Sequence, residues 1–172
     1  LHTLFPYTTL FRSTGPGHYS HHPAASLPAS DNLGVQIRLI AGNGFCLKSP
    51  VPVLSPTLYA NVQMQTATTL LIPDEHEERA VYVLEGDVQL DGEPLEVHSL
   101  VVVPSGQEMT LSAETDCHLM VFGGAPLDGP RRINWNFVAS DPAVIEQARQ
   151  RWAAADWPTV PGETERIELP VR

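Results

Sequence analysis

The chain has 172 residues, enough for one domain with a hydrophobic core and too few for two domains of ordinary size. A hydrophobic content of 42% and a charged content of 17%, with 16 prolines and 12 glycines, exclude a helical bundle and point to short strands joined by turns. The net charge of −10 would repel a phosphate backbone and excludes direct nucleic-acid binding, and the apolar runs 69–72 and 100–103 are far shorter than the ~20 residues that cross a bilayer.

In chain order, residues 1–13 lack an initial Met, a basic n-region and a small-residue cleavage site, so they do not read as a signal peptide. They resemble a translated sequencing-adapter tail and are expected to be foreign to the fold; the expected location is the cytoplasm. Residues 14–28 are rich in Pro, Gly, His and Ser without a sustained period and are expected to form a linker or arm. A β-domain is expected over 29–130. Its strands are predicted at 34–41, 58–64, 68–72, 80–84, 88–90, 95–97, 100–103, 109–111 and 118–122, from β-branched or apolar runs bounded by Gly, Pro, Asn or Asp.

The clearest is 58–64, where Leu58, Ala60, Val62 and Met64 alternate with Tyr59, Asn61 and Gln63. Glu85-Gly86-Asp87 and Asp91-Gly92 predict hairpin turns, because glycine accepts the positive φ that such turns need. Gly42-Asn43-Gly44 reads as a turn and not a phosphate loop, since no helical pattern follows it. A β-sandwich and a small barrel both fit these signals. One helix is marked by Asp141 as cap, Pro142 at the first position, and Ile145, Ala148 and Trp152 on one face. The remainder of 131–172, with Trp157, Pro158, Pro161 and Pro170, is expected to be an extended tail.

The ordered set Pro130-Arg131-Arg132-Ile133-Asn134-Trp135-Asn136-Phe137-Val138, Asp141-Pro142-Ala143-Val144-Ile145-Glu146-Gln147-Ala148 and Val160-Pro161-Gly162-Glu163 resembles the C-terminal signature of the pirin family, two-domain cupin proteins. His21-His22-Pro23-Ala24-Ala25-Ser26-Leu27-Pro28, Ile40-Ala41-Gly42, Gly124-Ala125-Pro126-Leu127 and Glu78-Arg79-Ala80-Val81-Tyr82-Val83-Leu84-Glu85-Gly86 extend the match. The resemblance implies an all-β cupin-type jelly roll (double-stranded β-helix) with one C-terminal helix. It also implies that this chain corresponds to the second half of such a protein. In the family, Fe(II) is held by histidines and a glutamate of the N-terminal barrel. Some bacterial members cleave quercetin with oxygen, and a mammalian relative is a nuclear co-regulator.

The second barrel of the family is usually metal-free, an implication that can be followed residue by residue. Anchoring the first cupin motif, H-x-H-x(3,4)-E-x(6)-G, on Gly86 puts Arg79 at the carboxylate position. The two His positions become Pro73 and Glu75, or Ile72 and Asp74 with the longer spacing. Anchoring the second motif, P-x-G-x-x-H, on Pro104-Ser105-Gly106 puts Met109 at the last His. No imidazole stands at any of these positions, so no catalytic, cofactor-binding or metal residue is expected in this chain, and Fe(II) is implied only for the N-terminal barrel.

Elsewhere, His18 and His22 could form an exposed metal pair but read as a solvated arm, and the adjacent His21 and His22 would point to opposite faces of an extended strand. His76 within Asp74-Glu75-His76-Glu77-Glu78 reads as part of a charged loop, and His98 and His118, at or within strands, read as satisfied core or surface residues rather than catalytic bases. Cys46 and Cys117 are expected to be buried reduced thiols. Trp135, Trp152 and Trp157 are expected to pack as core or interface residues rather than to line a ligand pocket.

The expected function is a structural, non-catalytic half of a quercetin 2,3-dioxygenase-type protein, partnered by its N-terminal cupin domain. The alternative is a binding or co-regulator module acting through protein contacts. A metal-independent sugar-modifying cupin is a third reading, lacking an identifiable acid/base pair. A face suited to another domain should be apolar and favour self-association.

Overall fold

The computed structural model describes residues 20–157, 165 and 167–170. Residues 1–13, His18 and the Val160-Pro161-Gly162-Glu163 motif lie outside the described residues. Two compact units are present, Ser20–Pro126 and the described residues from Leu127 onward.

The first unit is an all-β cupin-type jelly roll. Its strands are β1 (Ala29–Asn32), β2 (Val35–Gly44), β3 (Leu47–Lys48), β4 (Thr57–Met64), β5 (Thr69–Ile72), β6 (Glu78–Glu85), β7 (Val88–Leu90), β8 (Glu93–Leu95), β9 (Leu100–Val103), β10 (Met109–Ala113) and β11 (Cys117–Gly124). A seven-stranded sheet runs β1-β2-β4-β11-β6-β9, with β3 attached to β2, and a four-stranded sheet runs β5-β10-β7-β8. The pairings are antiparallel.

Period-two alternation places Leu58, Ala60, Val62 and Met64 of β4, Val81 and Val83 of β6, and Leu119 and Val121 of β11 in the interior, where they meet Ile72, Leu111 and Val103. Each of these Leu, Ile, Val and Met side chains, buried to 2% exposure or less, contributes roughly 1.5–3 kcal/mol.

Asp91 (φ 49°) and Gly92 (φ 85°) form the two-residue turn between β7 and β8, as the Asp-Gly signal predicts. The Glu85-Gly86-Asp87 expectation needs correction. β6 and β7 do not pair; β6 lies between β11 and β9, whereas β7 lies between β10 and β8. Gly86 (φ 85°) is a corner at which the chain changes sheets, and a Cβ there would stand 2.4 Å from the Asp116 carbonyl oxygen. The positive φ is real, but close backbone approach, not a hairpin, demands the glycine.

Gly42-Asn43-Gly44 is likewise not a turn but the end of β2, beyond a register shift between Leu39 and Ala41. The reversal falls on Phe45 (φ 54°) and Cys46 (φ 60°), between the paired Gly44 and Leu47. Side chains other than Gly or Asn rarely occupy that conformation, which is why neither the turn nor β3 is evident from composition. The strand predicted at 95–97 is displaced to Glu93–Leu95, because Val97 and His98 form a turn closed by the Ser99 N–H to the Glu96 carbonyl.

In the second unit β12 (Arg132–Asn134) pairs with β13 (Phe137–Ala139), and α1 spans Pro142–Ala153. The Asp141 carboxylate accepts from the Ala143 N–H at 2.8 Å, and Pro142 fills the first turn, where its missing N–H costs nothing. Ile145 and Ala148 bury the helix against Phe137, with Trp135, Trp152, Trp157 and Leu169 around them. The three tryptophans therefore pack as core, with ring centroids 5.2 Å apart for Trp135 and Trp152 and 6.0 Å for Trp152 and Trp157. No helix among the described residues is long and apolar enough to cross a membrane.

Candidate functional site

In β6 the alternation that buries Val81 and Val83 also turns Arg79 inward, and its side chain is 0% exposed. A buried guanidinium needs acceptors for its donors. Nη1 donates to the Pro73 carbonyl at 2.9 Å and Nη2 to the Pro104 carbonyl at 2.7 Å. Nη2 also stands 2.9 Å from Asp74 Oδ1, and the same carboxylate oxygen accepts from the Gly106 N–H at 3.2 Å. Nε has no hydrogen-bond partner. One side chain thus ties the turn after β5 to the turn after β9.

These are the segments on which the two cupin motifs fall when anchored on Gly86 and on Pro104-Ser105-Gly106. Asp74, at one ligand position, is bonded to Arg79, at another. Ile72 and Met109, at the remaining two, are directly paired across β5 and β10, with Ile72 fully buried and Met109 packed against the core. With the longer spacing the four positions present a guanidinium, a thioether, an alkyl group and one carboxylate already engaged by the arginine; with the shorter, Pro73 and Glu75 replace Ile72 and Asp74, and the Glu75 carboxylate is engaged by the Phe45 N–H.

That donor set does not fit Fe(II), which is held by imidazole and carboxylate groups; the guanidinium has no free lone pair and carries a charge of the same sign as the metal. Among the described residues no group of three or more His, Cys, Asp or Glu side chains is placed to share an ion. The Arg79–Asp74 pair is the feature that motif spacing alone misses. Its signal is the period-two placement of Arg79 with Val81 and Val83.

The remaining histidines are dispersed. His76 is buried and its Nε2–H donates to the Asn43 carbonyl at 2.8 Å, while Glu75 Oε2 accepts from the Phe45 N–H at 3.0 Å, so the 74–78 segment is bonded to the β2–β3 hairpin and is not simply a solvated charged loop. His98 (φ 65°) lies in the turn before β9, not in a strand. His22 contacts Ser20 Oγ at 3.1 Å. His118 faces outward from β11, accepting from Asn61 Nδ2 at 2.5 Å with Nδ1 3.9 Å from Glu85 Oε1. Cys117 is buried, and burial pushes its thiol pKa up; Cys46 is exposed, contrary to expectation, because it occupies the tip of the β2–β3 turn.

The outer face of the seven-stranded sheet is graded from polar to apolar. Gln36, Gln63, His118 and Glu85 form one cross-strand row, bordering a cavity of about 250 Å³. Arg38, Asn61, Met120, Tyr82 and Leu100 form the next. Tyr59, Phe122, Ala80 and Val102 form the last, with the Tyr59 and Phe122 rings stacked at 5.4 Å. A solvated face of an antiparallel sheet ordinarily carries polar residues, so the β6–β9–β11 corner is an apolar patch.

The family model of the Pirin C-terminal cupin domain matches residues 59–158. A "Pirin-like protein" of Caulobacter vibrioides is 39% identical over 146 residues, covering 85% of this chain and 50% of its own length. Two crystal structures of quercetin 2,3-dioxygenase from Acinetobacter baumannii superpose with TM-scores of 0.74 and 0.76 at 26% identity; the matches cover 85% and 83% of this chain and 50% and 51% of those chains. The chain spans about half the length of these relatives.

Proposed function

Because the chain belongs to the pirin family, through its C-terminal cupin domain, we propose that it serves as a metal-free, non-catalytic cupin half. In the complete protein it packs beside a second barrel that carries Fe(II) and quercetin 2,3-dioxygenase-type chemistry. The carrying observation is the Arg79 guanidinium, buried at the ligand carboxylate position and bonded to Asp74, Pro73 and Pro104. An internal cation there opposes metal entry, the core cluster is aliphatic apart from Cys117 and Met64, and among the described residues no group of three or more His, Cys, Asp or Glu side chains could hold an ion, which supports the reading.

Metal analysis of this chain purified in the presence of Fe(II), combined with oxygen uptake on quercetin, tests the proposal. The expected result is sub-stoichiometric iron and uptake no faster than the protein-free blank. Tight one-to-one iron, or turnover above the blank, overturns it. The apolar corner made by Phe122, Ala80, Val102, Tyr82 and Leu100 favours a second role for the same unit, as a protein-contact module.

A further inference from the structure

The barrel end that carries Arg79 is also the end at which the β2–β3 hairpin lies. Along the larger sheet Gly42 pairs with Leu58, Thr57 with Gly124, Gly123 with Arg79 and Arg79 with Val103, while residues 73–77 lead from Ile72, the partner of Met109, into the same end of β6. Close approaches agree with this topology. A Cβ on Gly44 would stand 2.6 Å from Leu58 Cδ1 and 3.4 Å from Glu75 Oε2, and one on Gly123 would stand 3.3 Å from Arg79 Cγ and 3.5 Å from Leu58 Cβ. Leu58 therefore lies between the hairpin and the arginine.

The hairpin brings an aromatic ring to this end. Phe45, half-buried, packs on the core cluster from a backbone at φ 54°, and Cys46 follows at φ 60°. Two successive left-handed residues that are neither Gly nor Asn are unfavourable, so the closed position is not one that the local sequence prefers. Few bonds hold it. The Phe45 N–H donates to Glu75 Oε2 at 3.0 Å and the His76 Nε2–H to the Asn43 carbonyl at 2.8 Å, and the two-residue β3 pairs, among the described residues, with β2 alone. A short edge element held in this way opens locally at less cost than global unfolding.

The same end has one unmet polar need. Arg79 Nε is buried and has no hydrogen-bond partner, although native interiors ordinarily supply an acceptor to such a donor. We propose that this end of the barrel is a binding site for a small uncharged molecule with one aromatic ring and one oxygen acceptor, and that Phe45 occupies it when the hairpin is closed. Ring replaces ring, and the oxygen accepts from Arg79 Nε. A charged ligand is disfavoured, because Asp74 already faces the guanidinium and a further buried ion would lack a partner. The hairpin must swing out to admit the ligand, so the apparent affinity is the intrinsic one reduced by the open fraction. This site goes beyond the metal-free reading and uses no metal.

Calorimetric titration of the whole chain with acetophenone, and with toluene as the ring lacking an acceptor, tests the site. The expected result is millimolar binding of acetophenone to the unaltered chain, about fivefold or more tighter than toluene. Phe45→Ala, which removes the internal occupant, should tighten acetophenone at least about tenfold. Glu75→Ala, which loosens the cover without making a hole, should tighten it about threefold or more. In the unaltered chain, saturating acetophenone should speed exchange of the Phe45 amide, whose acceptor is left behind as the hairpin moves.

Should Phe45→Ala fail to fold, the Glu75→Ala titration and the Phe45 amide carry the test. Binding by Phe45→Ala alone overturns the proposal, since it would report an engineered hole. So do the absence of binding to all three chains, equal affinities for acetophenone and toluene, an affinity untouched by Glu75→Ala, or binding that leaves Phe45 amide exchange unchanged. None of these readouts involves iron or quercetin, so this site and the metal-free reading stand or fall separately.

Discussion

Arg79 and Asp74 meet at 2.9 Å with unequal surroundings: the guanidinium is 0% exposed and the carboxylate 39%. The pair is asymmetric in consequence. Removing the arginine leaves a carboxylate that water still reaches but deprives the Pro73 and Pro104 carbonyls of their donors, whereas removing the carboxylate leaves a buried cation short of its counter-charge.

Arg79→Met is expected to lower stability by about 2–4 kcal/mol, measured by urea unfolding. Arg79→Lys should recover only part of this, because one ammonium cannot span two carbonyls and a carboxylate with the geometry of a planar fork. A cost for Arg79→Met indistinguishable from that of an exposed substitution would remove the cross-link from the account of the fold.

Gly86 and Gly92 share φ 85° but differ in surroundings: a Cβ added at the first would stand 2.4 and 2.6 Å from Asp116 and Cys117 backbone atoms, and one added at the second would meet nothing within 4 Å. Gly92→Ala is expected to cost about 1 kcal/mol from backbone strain alone. Gly86→Ala adds a backbone clash and should cost at least about 2 kcal/mol more, seen as a lower thermal midpoint. Equal shifts for the two variants would refute the close approach at the sheet corner.

Two groups near the polar end of the sheet give opposite pH dependences. Hydrogen bonds from the Thr66 N–H and hydroxyl hold the Asp116 carboxyl below its usual pKa, so its contribution is present above the ordinary carboxylate range and is lost as pH falls through the folded value. Burial raises the Cys117 thiol, so the folded chain holds its proton where the unfolded chain has released it; stability is full below the ordinary thiol pKa and declines as pH rises toward the folded value. Tyr59, raised by burial, acts in the same alkaline direction. Urea midpoints against pH should therefore lose part of their acid slope in Asp116→Asn and part of their alkaline slope in Cys117→Ala; unchanged slopes would contradict the assignments.

The strongly alternating strands are legible in the sequence because period-two burial and side-chain chemistry agree there; β4 spans Thr57–Met64 against an expectation of 58–64. The helix is legible because Asp141, Pro142 and the Ile145–Ala148 stripe are local signals. What escapes is set by partners distant in sequence. The reversal at Phe45 and Cys46 is held by Glu75, and the corner at Gly86 by Asp116 and Cys117, none of which a local pattern reveals. At the candidate site, motif spacing identifies Arg79 as out of place for a metal ligand, but its bonds to Pro73, Asp74 and Pro104 exist only once β5, β6 and β9 have been brought together.

β11 is the last strand of the barrel in sequence and yet lies between β4 and β6 in the larger sheet. The β2–β4 ribbon and the β6–β9 ribbon therefore have no direct connection until Cys117–Gly124 is inserted between them. During synthesis both must wait on the ribosome with their inner edges open, and closure requires contacts of large sequence separation, which are slow to form. A nascent chain arrested before Cys117 should accordingly be a ready client for chaperones, whereas one extended past Gly124 can complete the barrel in a single step.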